Sequence, residues 1–160
     1  MAATPIGATN RYFRRGVTKV YFVPTIANKA SPTRSELDAG TDLSPEIADS
    51  DGWQVTGDTV DTPDLGTTFV GKIPSTTSAD DSSLTMYADS GSQDVRTLLP
   101  RGTTGFIVWM DEGDEAGLLM DVFPVRVTSA PKQRSLDDAA QIMISFAVIR
   151  EPAENVAIPS

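Results

Sequence analysis

The stretch FIVWMDEGDEAGLLMDVFPVRVT, residues 106–128, carries the clearest strand pattern in this chain of 160 residues. Two apolar runs rich in β-branched residues, 106–110 and 118–128, flank the acidic segment DEGDEAG, whose glycines suit a turn. The spacing predicts a β-hairpin. Within the second strand Pro124 predicts an edge position or a bulge, because proline cannot donate a hydrogen bond to a neighbouring strand.

Other short apolar runs, separated by Gly, Pro, Asp and Ser, predict an all-β domain. The further strand candidates are residues 17–23, which end at Pro24, then 53–60, 69–73 and 84–88, with a polar stretch at 74–83. The run 142–149 is apolar on both of its alternating faces. We therefore expect both faces of that strand to be buried, either inside the monomer or against another subunit.

Two helix-capping patterns interrupt the strand candidates. The segment SGSQ at 90–93, followed by Asp94, predicts a helix over 92–99 that ends before Pro100 and Gly102. Its apolar face would consist of Val95, Leu98 and Leu99. Thr33 and Glu36 are spaced as a second capping box, which predicts one helical turn ended by Gly40. That turn lies in a long loop, 24–52, and loops of this length are usually functional or disordered.

The length predicts one domain over residues 1–160, since soluble domains typically contain about 100–200 residues. Residues 1–14 are expected to form an N-terminal arm, and residues 151–160, with two prolines, an extended C-terminal arm. The polar start, 1–10, lacks the apolar segment of a secretory signal. The longest apolar run, 106–110, is far short of the roughly 20 residues that a membrane-spanning helix needs.

The chain contains no cysteine and no histidine. The first absence excludes disulfides, thiol nucleophiles, iron–sulfur sites and Cys-based zinc sites. The second excludes a Ser-His-Asp triad and His-ligated zinc. The composition therefore disfavours an enzyme, and we assign no catalytic, metal-binding or cofactor-binding residue.

The net charge of −9 is unevenly distributed along the chain. Residues 1–35 carry six basic side chains and no acidic one, whereas residues 36–160 carry seven basic and all 22 acidic side chains, a net charge of −15. The acidic total disfavours an ordinary nucleic-acid binder. Arg11, Arg14 and Arg15, with Tyr12 and Phe13 between them, could still contact nucleic acid. Docking of this basic segment on the acidic face of a neighbouring copy explains both signs of charge and is the preferred interpretation.

Two carboxylate motifs leave alternatives open. Asp89-Ser90-Gly91 follows an apolar strand, as the Asp-Thr/Ser-Gly of a dimeric retropepsin-like aspartic protease would, but the segment that braces such a site is not evident. A strand exit next to a helix cap is favoured over a protease that uses Asp89. The acidic loop 111–115 could bind Ca²⁺, but one loop rarely closes a shell of six to eight oxygens, so a solvated hairpin tip is favoured there.

Seven segments resemble, in order along the chain, the tail tube (major tail) proteins of long non-contractile-tailed phages that infect actinobacteria. The first three are RGVTKVYFVPTIAN (15–28), PTRSELDAGTDLSPEIADSDGW (32–53) and TPDLGTTFVGKIPSTTSADDSS (62–83). The other four are RTLLPRGTTGFIVWM (96–110), MDVFPVRV (120–127), DDAAQIMISFAV (137–148) and PAENVAIP (152–159). The resemblance covers nearly the whole chain from Arg15 onward.

The resemblance implies a mainly β sandwich or barrel flanked by one short α-helix, with a long loop and extended termini. It implies a structural virion protein, not an enzyme, whose hexameric rings stack into a tail tube that guides DNA during ejection. The implied partners are further copies of the chain, a tape-measure protein, tail terminator and distal tail proteins, and DNA in transit, without membrane insertion. Synthesis would take place in the cytoplasm of the host bacterium. The alternative is a capsid decoration or neck protein of similar fold.

In this context the charged residues of the N-terminal third become candidates for inter-subunit contacts. They are Arg11, Arg14, Arg15, Arg34, Glu36 and Asp42, and the loop 24–52 would lie between subunits. The acidic remainder of the chain predicts a tube lumen of net negative charge, because lysine and arginine contacts to phosphates would hold DNA instead of letting it slide.

Overall fold

A computed structural model describes residues 2–160 of the chain. Eleven strands, two short α-helices and one 3-10 turn follow each other along these residues. In chain order they are β1 (Lys19–Val23), α1 (Arg34–Asp38), β2 (Thr41–Asp42), the 3-10 turn (Ser44–Glu46), β3 (Ile47–Asp51), β4 (Val55–Thr62), β5 (Gly71–Ala79), β6 (Ser82–Tyr87), α2 (Val95–Leu98), β7 (Thr104–Met110), β8 (Leu119–Ser129), β9 (Lys132–Gln133), β10 (Gln141–Val148) and β11 (Ala153–Ala157). The predicted mainly β fold class is confirmed.

Nine of the strands form one antiparallel sheet. The order along its main path is β2-β1-β7-β8-β10-β6-β3, with β11 paired to β8 and β9 paired to β10. Side chains from β1, β7, β8, β10 and β6 meet in one core, among them Phe22, Ile107, Phe123, Phe146 and Leu84. Because strands from both halves of the path share this core, the sheet curves around it.

A second core covers the opposite face of the central strands. It joins Val108 and Met110 of β7 and Val122 of β8 to Leu37 of α1 and Val156 of β11. In β7 the residues from 105 to 108 are all buried, so this strand has no solvated face. Burial on both faces was predicted for 142–149, but β10 buries only Ile142, Ile144 and Phe146, and its other face is half-buried. Within the single chain the second face is not fully buried, because α1 and β11 cover β7 and β8, not β10. Burial of that face against another subunit stays a prediction.

Pro124 lies in the interior of the sheet, contrary to the predicted edge or bulge. It is paired with Phe106 of β7, and it separates Val122, which pairs with β11, from Val125, which pairs with β10. The carbonyl of Pro124 accepts a hydrogen bond from the N–H of Ile149 at 3.0 Å. Proline is tolerated here because β8 changes its partner strand at this residue.

A helix forms near each of the two capping patterns, although the helix near 92–99 begins later than predicted. Thr33 caps α1, its side chain accepts from the N–H of Glu36, and the Glu36 carboxylate accepts in return from the N–H of Thr33. The helix predicted over 92–99 is limited to Val95–Leu98, and its cap is Asp94, not Ser90 or Ser92. The second core accounts for α1, because Leu37 is buried in it.

Three other segments differ in part from the sequence prediction. Residues 24–52 contain α1, β2, the 3-10 turn and β3, so they are not a loop throughout. The tail 151–160 folds back as β11, with Val156 and Ile158 buried, and is not a free arm in this chain. Residues 2–13 have no regular structure and are exposed, as expected of an arm.

Strands β4 and β5 form a separate two-stranded hairpin, and β5 includes much of the polar stretch 74–83, beyond the predicted strand 69–73. Trp53 anchors this hairpin. Its indole ring packs at 5.3 Å from the rings of Phe123 and Phe146, and its Nε1 donates to the carbonyl of Ser83. The backbone of Trp53 has φ 62, an uncommon conformation for a bulky residue, so the packing of the ring compensates local strain.

Gly105 provides a test of the close packing at the central strands. A Cβ at this position would lie 2.5 Å from the ring of Phe22, which is buried in the first core. We expect Gly105→Ala to lower the free energy of unfolding by about 1–3 kcal/mol, since overpacking a core displaces its side chains. Urea denaturation measures this, and Gly7→Ala, where a Cβ would meet nothing within 4 Å, is the matched control. Equal stability of the two variants would contradict the packing argument.

Candidate functional site

The two carboxylate motifs that suggested chemistry serve structural roles in the folded chain. Asp89 is exposed, and its carboxylate accepts hydrogen bonds from the N–H groups of Gly91 at 2.7 Å and Gln93 at 3.0 Å. In the acidic loop 111–115, Asp111 pairs with Arg14 and Asp114 pairs with Arg34. Among residues 2–160 no three carboxylates are grouped as a metal site would require. Within the same residues no helix is long and apolar enough to cross a membrane.

Arg34 and Asp114 form the best-defined polar cluster of the structure. The guanidinium donates two hydrogen bonds to the Asp114 carboxylate, at 2.6 and 2.7 Å, and a third to Asp38 at 2.8 Å. The hydroxyl of Tyr21 donates to the same Asp114 carboxylate at 2.9 Å. This cluster ties α1 and the β7–β8 loop to β1, across 80 residues of sequence between Arg34 and Asp114.

The cluster shifts the acid–base properties of its members. The hydrogen bonds from Arg34 hold the pKa of Asp114 below its usual value, against the opposing effect of partial burial. Burial of the ring, assisted by the hydrogen bond to Asp114, raises the pKa of Tyr21 to about 12. Both shifts favour the protonation states that make these hydrogen bonds at neutral pH.

The six residues predicted to contact other subunits fall into two groups. Three of them are engaged within their own chain: Arg34 in the cluster above, Glu36 in the capping box and with the N–H of Ala27, and Asp42 with Lys19 at 3.0 Å and with Ser44. Arg14 also has a partner, Asp111. Arg11 and Arg15 are exposed and form no ion pair within the described part of the chain, 2–160.

The hairpin of β4 and β5 is an exposed surface that the sequence prediction did not identify as a contact surface. Every residue of β4 after Val55 is exposed, and so are all residues of β5 between its two ends. Large apolar side chains cluster toward its tip and stay uncovered: Val60, Leu65, Phe69, Val70 and Ile73. A signal for this surface was present in the sequence: apolar residues such as Val60 and Ile73 occur in otherwise polar segments. In the structure these two residues pair directly across the two strands.

A groove of about 550 Å³ lies between the start of β1 and the outer edge of β3. We call it the seam groove, and its lining includes Arg14, Arg15, Lys19, Ser50, Tyr87 and Trp109. Within residues 2–160, β3 pairs only with β6, so it is an edge strand whose other side borders this groove. Unpaired strand edges are the usual places where a second chain adds to a sheet.

Residues 7–160 match the protein family described as phage tail tube protein. The chain belongs to this family. The match covers both cores, the hairpin and the seam groove, and it supports a structural virion protein of the phage tail over an enzyme. No curated protein matches the chain.

Two solved structures show the same fold as this tail tube protein. One is described as an extracellular contractile injection system, PVC sheath/tube terminator in extended state, with a TM-score of 0.63 and 14% identity over 89% of this chain and 96% of that chain. The other is described as the anti-feeding prophage (AFP) baseplate, 6-fold symmetrised, with a TM-score of 0.53 and 11% identity over 94% of this chain and 95% of that chain. At these identities the likeness concerns the fold alone.

The hydroxyl of Tyr21 should titrate far above the ordinary tyrosine pKa of 10.0. Because the folded state favours the neutral phenol, the stability that it contributes is present below pH 10 and is lost as the pH rises toward about 12. Alkaline titration of tyrosinate absorbance should show a step near pH 12 that Tyr21→Phe removes. Tyr87→Phe is the control and should keep that step. A Tyr21→Phe titration that retains the step would show that Tyr21 does not carry it.

Proposed function

We propose that this tail tube protein assembles into hexameric rings, and that the rings stack into the tube of a long non-contractile tail. The match of residues 7–160 to the phage tail tube family carries the proposal. The resemblance to tail tube proteins of actinobacterial phages supports the same kind of tail. The similarity to a chain of a baseplate described as 6-fold symmetrised is consistent with rings of six.

Surfaces left open in the monomer support assembly with further copies. The outer edge of β3 is unpaired, the second face of β10 is half-buried, and the hairpin of β4 and β5 exposes apolar side chains at its tip. Soluble monomers rarely combine free strand edges with uncovered apolar residues, since both promote association. Rings require a contact between two different surfaces of one chain, and such contacts also produce open stacks.

The charge of the chain suits a conduit for DNA. The net charge is −9, and the residues after position 35 are acidic overall. Such a surface offers few lysine and arginine side chains to DNA phosphates, so it gains little of the counterion release that makes DNA binding tight. We propose a lumen of net negative charge through which DNA slides during ejection. The proposed partners are a tape-measure protein inside the tube, and tail terminator and distal tail proteins, with the protein made in the cytoplasm of an actinobacterial host.

The residues proposed for inter-subunit contacts differ in whether they already have a partner within their own chain. Arg11 in the arm 1–14 and Arg15 directly after it are exposed without an ion pair in residues 2–160, so this basic segment is the best of the predicted contact segments. Arg34, Glu36 and Asp42 would act indirectly, because their intramolecular bonds fix α1, β2 and the β7–β8 loop on the surface. Residues 24–52, which include α1 and the edge strand β3, remain a proposed inter-subunit segment.

Electron microscopy of the purified protein tests the proposal. Concentrated wild-type protein should form tubes with a regular ring striation in negative stain. Leu65→Ser/Phe69→Ser should abolish the tubes, because these side chains are 108% and 80% exposed and belong to a cluster of uncovered apolar side chains at the tip, whereas single exposed apolar residues are normal on protein surfaces. Leu136→Ser is the matched control, since Leu136 is 100% exposed outside the hairpin, and it should leave the tubes intact.

The other outcomes of this experiment identify the alternatives. Small closed oligomers without tubes would support a capsid decoration or neck protein in place of a tube. Tubes that are unaffected by Leu65→Ser/Phe69→Ser would contradict a role of the hairpin tip in assembly. Circular dichroism of each variant should show an unchanged fold, because none of the altered side chains belongs to either core.

A further inference from the structure

The hairpin of β4 and β5 lacks the cover that a two-stranded ribbon needs. A single hairpin is marginally stable in water, and stability normally requires a third strand or a packed face. Here Leu65 and Phe69 at the tip are fully or mostly exposed, so the hairpin does not fold back on its own chain. The tip is also acidic: Asp61 pairs with Lys72 at 3.1 Å, whereas Asp64 forms no ion pair within residues 2–160.

The seam groove has the complementary properties. Three basic residues line it, and Arg15 among them has no ion pair in the part of the chain that the structure describes. Two aromatic rings, Tyr87 and Trp109, add an apolar surface.

We propose that the hairpin tip of one copy, residues 62–71, lies in the seam groove of a second copy. In this arrangement Leu65 and Phe69 contact the aromatic lining, and the Asp64 carboxylate faces Arg15. The inference rests on the proposed assembly function and names the two surfaces that meet. Because tip and groove are different surfaces of the same chain, each copy keeps one of them free for the next copy, as a ring or a stack requires.

A second copy of the chain fits the groove better than DNA does. Of the three basic residues, Arg14 is paired with Asp111 and Lys19 with Asp42, and Asp49 also lines the groove. One unpaired cation beside three carboxylates is a poor site for a polyphosphate, which is held by several simultaneous lysine and arginine contacts. One oxygen of the Asp64 carboxylate accepts hydrogen bonds from the N–H groups of Gly66 at 2.8 Å and Thr67 at 3.0 Å, which leaves its second oxygen for Arg15. The apolar tip with this carboxylate matches both the charge and the aromatic surface of the groove.

Cross-linking between copies tests the contact directly. The chain has no cysteine, so each introduced cysteine is unique. Leu65→Cys in one chain and Ser50→Cys in a second, larger-tagged chain should give the mixed dimer with a short bis-maleimide. Leu136→Cys mixed with Ser50→Cys is the matched control, because Leu136 is as exposed as Leu65 but lies outside the hairpin. We expect at least tenfold less mixed dimer in the control, and equal yields from positions 65 and 136 would overturn the proposal.

A charge reversal in the groove provides a second readout. Arg15→Glu, added to the Ser50→Cys chain, should reduce the mixed dimer several-fold at low salt, because the groove would then repel Asp64. Arg101→Glu is the control for net charge, since Arg101 is exposed outside the groove, and it should leave the yield unchanged. An equal loss from both variants would mean that only the total charge of the chain matters.

These results separate the inference from the proposed function. Striated tubes of wild-type protein without preferential cross-linking from position 65 would leave the tube in place and refute the contact. A specific cross-link in a protein that forms no tubes would support the contact and refute the tube. Binding of labelled duplex DNA that Arg15→Glu abolishes, without the specific cross-link, would assign the groove to DNA and overturn the proposal.

Discussion

Burial of β7 on both faces is the constraint on which the rest of the fold depends. Residues 105–108 are all buried, so each face of the strand needs its own cover. The curved sheet supplies one cover through β10 and β6, and α1 with β11 supplies the other. The capping box of α1, the return of the C-terminal tail and the partner change at Pro124 all serve these two cores. The Arg34–Asp114 cluster then holds α1 over the second core from its polar side.

The same constraint explains why the hairpin of β4 and β5 stands apart. Its strands are rich in Ser, Thr and Gly and offer little apolar surface to either core. Trp53 fixes its base in the first core, where the ring contacts Trp109, Phe123 and Phe146. The apolar residues that the hairpin does contain lie toward its tip, away from any cover. These exposed apolar side chains contribute nothing to either core of the monomer, which is the physical reason to propose a role for the tip in assembly.

Much of the fold could be predicted from local patterns in the sequence. The features that were not predicted depend on contacts between segments that are far apart in the sequence. The pair β7–β8 and the capping box at Thr33 are set by neighbouring residues, and both were predicted. Which strand is covered twice depends on where α1 and β11 pack, so 142–149 resembled β7 in composition while lacking its cover. The polar β5 was partly missed, because its strand structure comes from pairing with β4 and not from apolar alternation. The pairing of Arg34 with Asp114 was not predicted, because the two residues are 80 positions apart in sequence. The contact of Arg34 with another subunit stays a prediction.

The net charge of this tail tube protein and its individual charged side chains have different consequences. Summed over the chain, −9 disfavours tight contact with DNA and suits a passage that must not retain it. Within the fold, Arg14, Lys19 and Arg34 of the basic N-terminal third are already paired with Asp111, Asp42 and Asp114. Among the charges that form no ion pair within residues 2–160, Arg15 lies at the seam groove and Asp64 at the hairpin tip. The proposed contact between copies therefore uses such unpaired charges together with exposed apolar side chains, and not the opposite net charges of the two parts of the sequence.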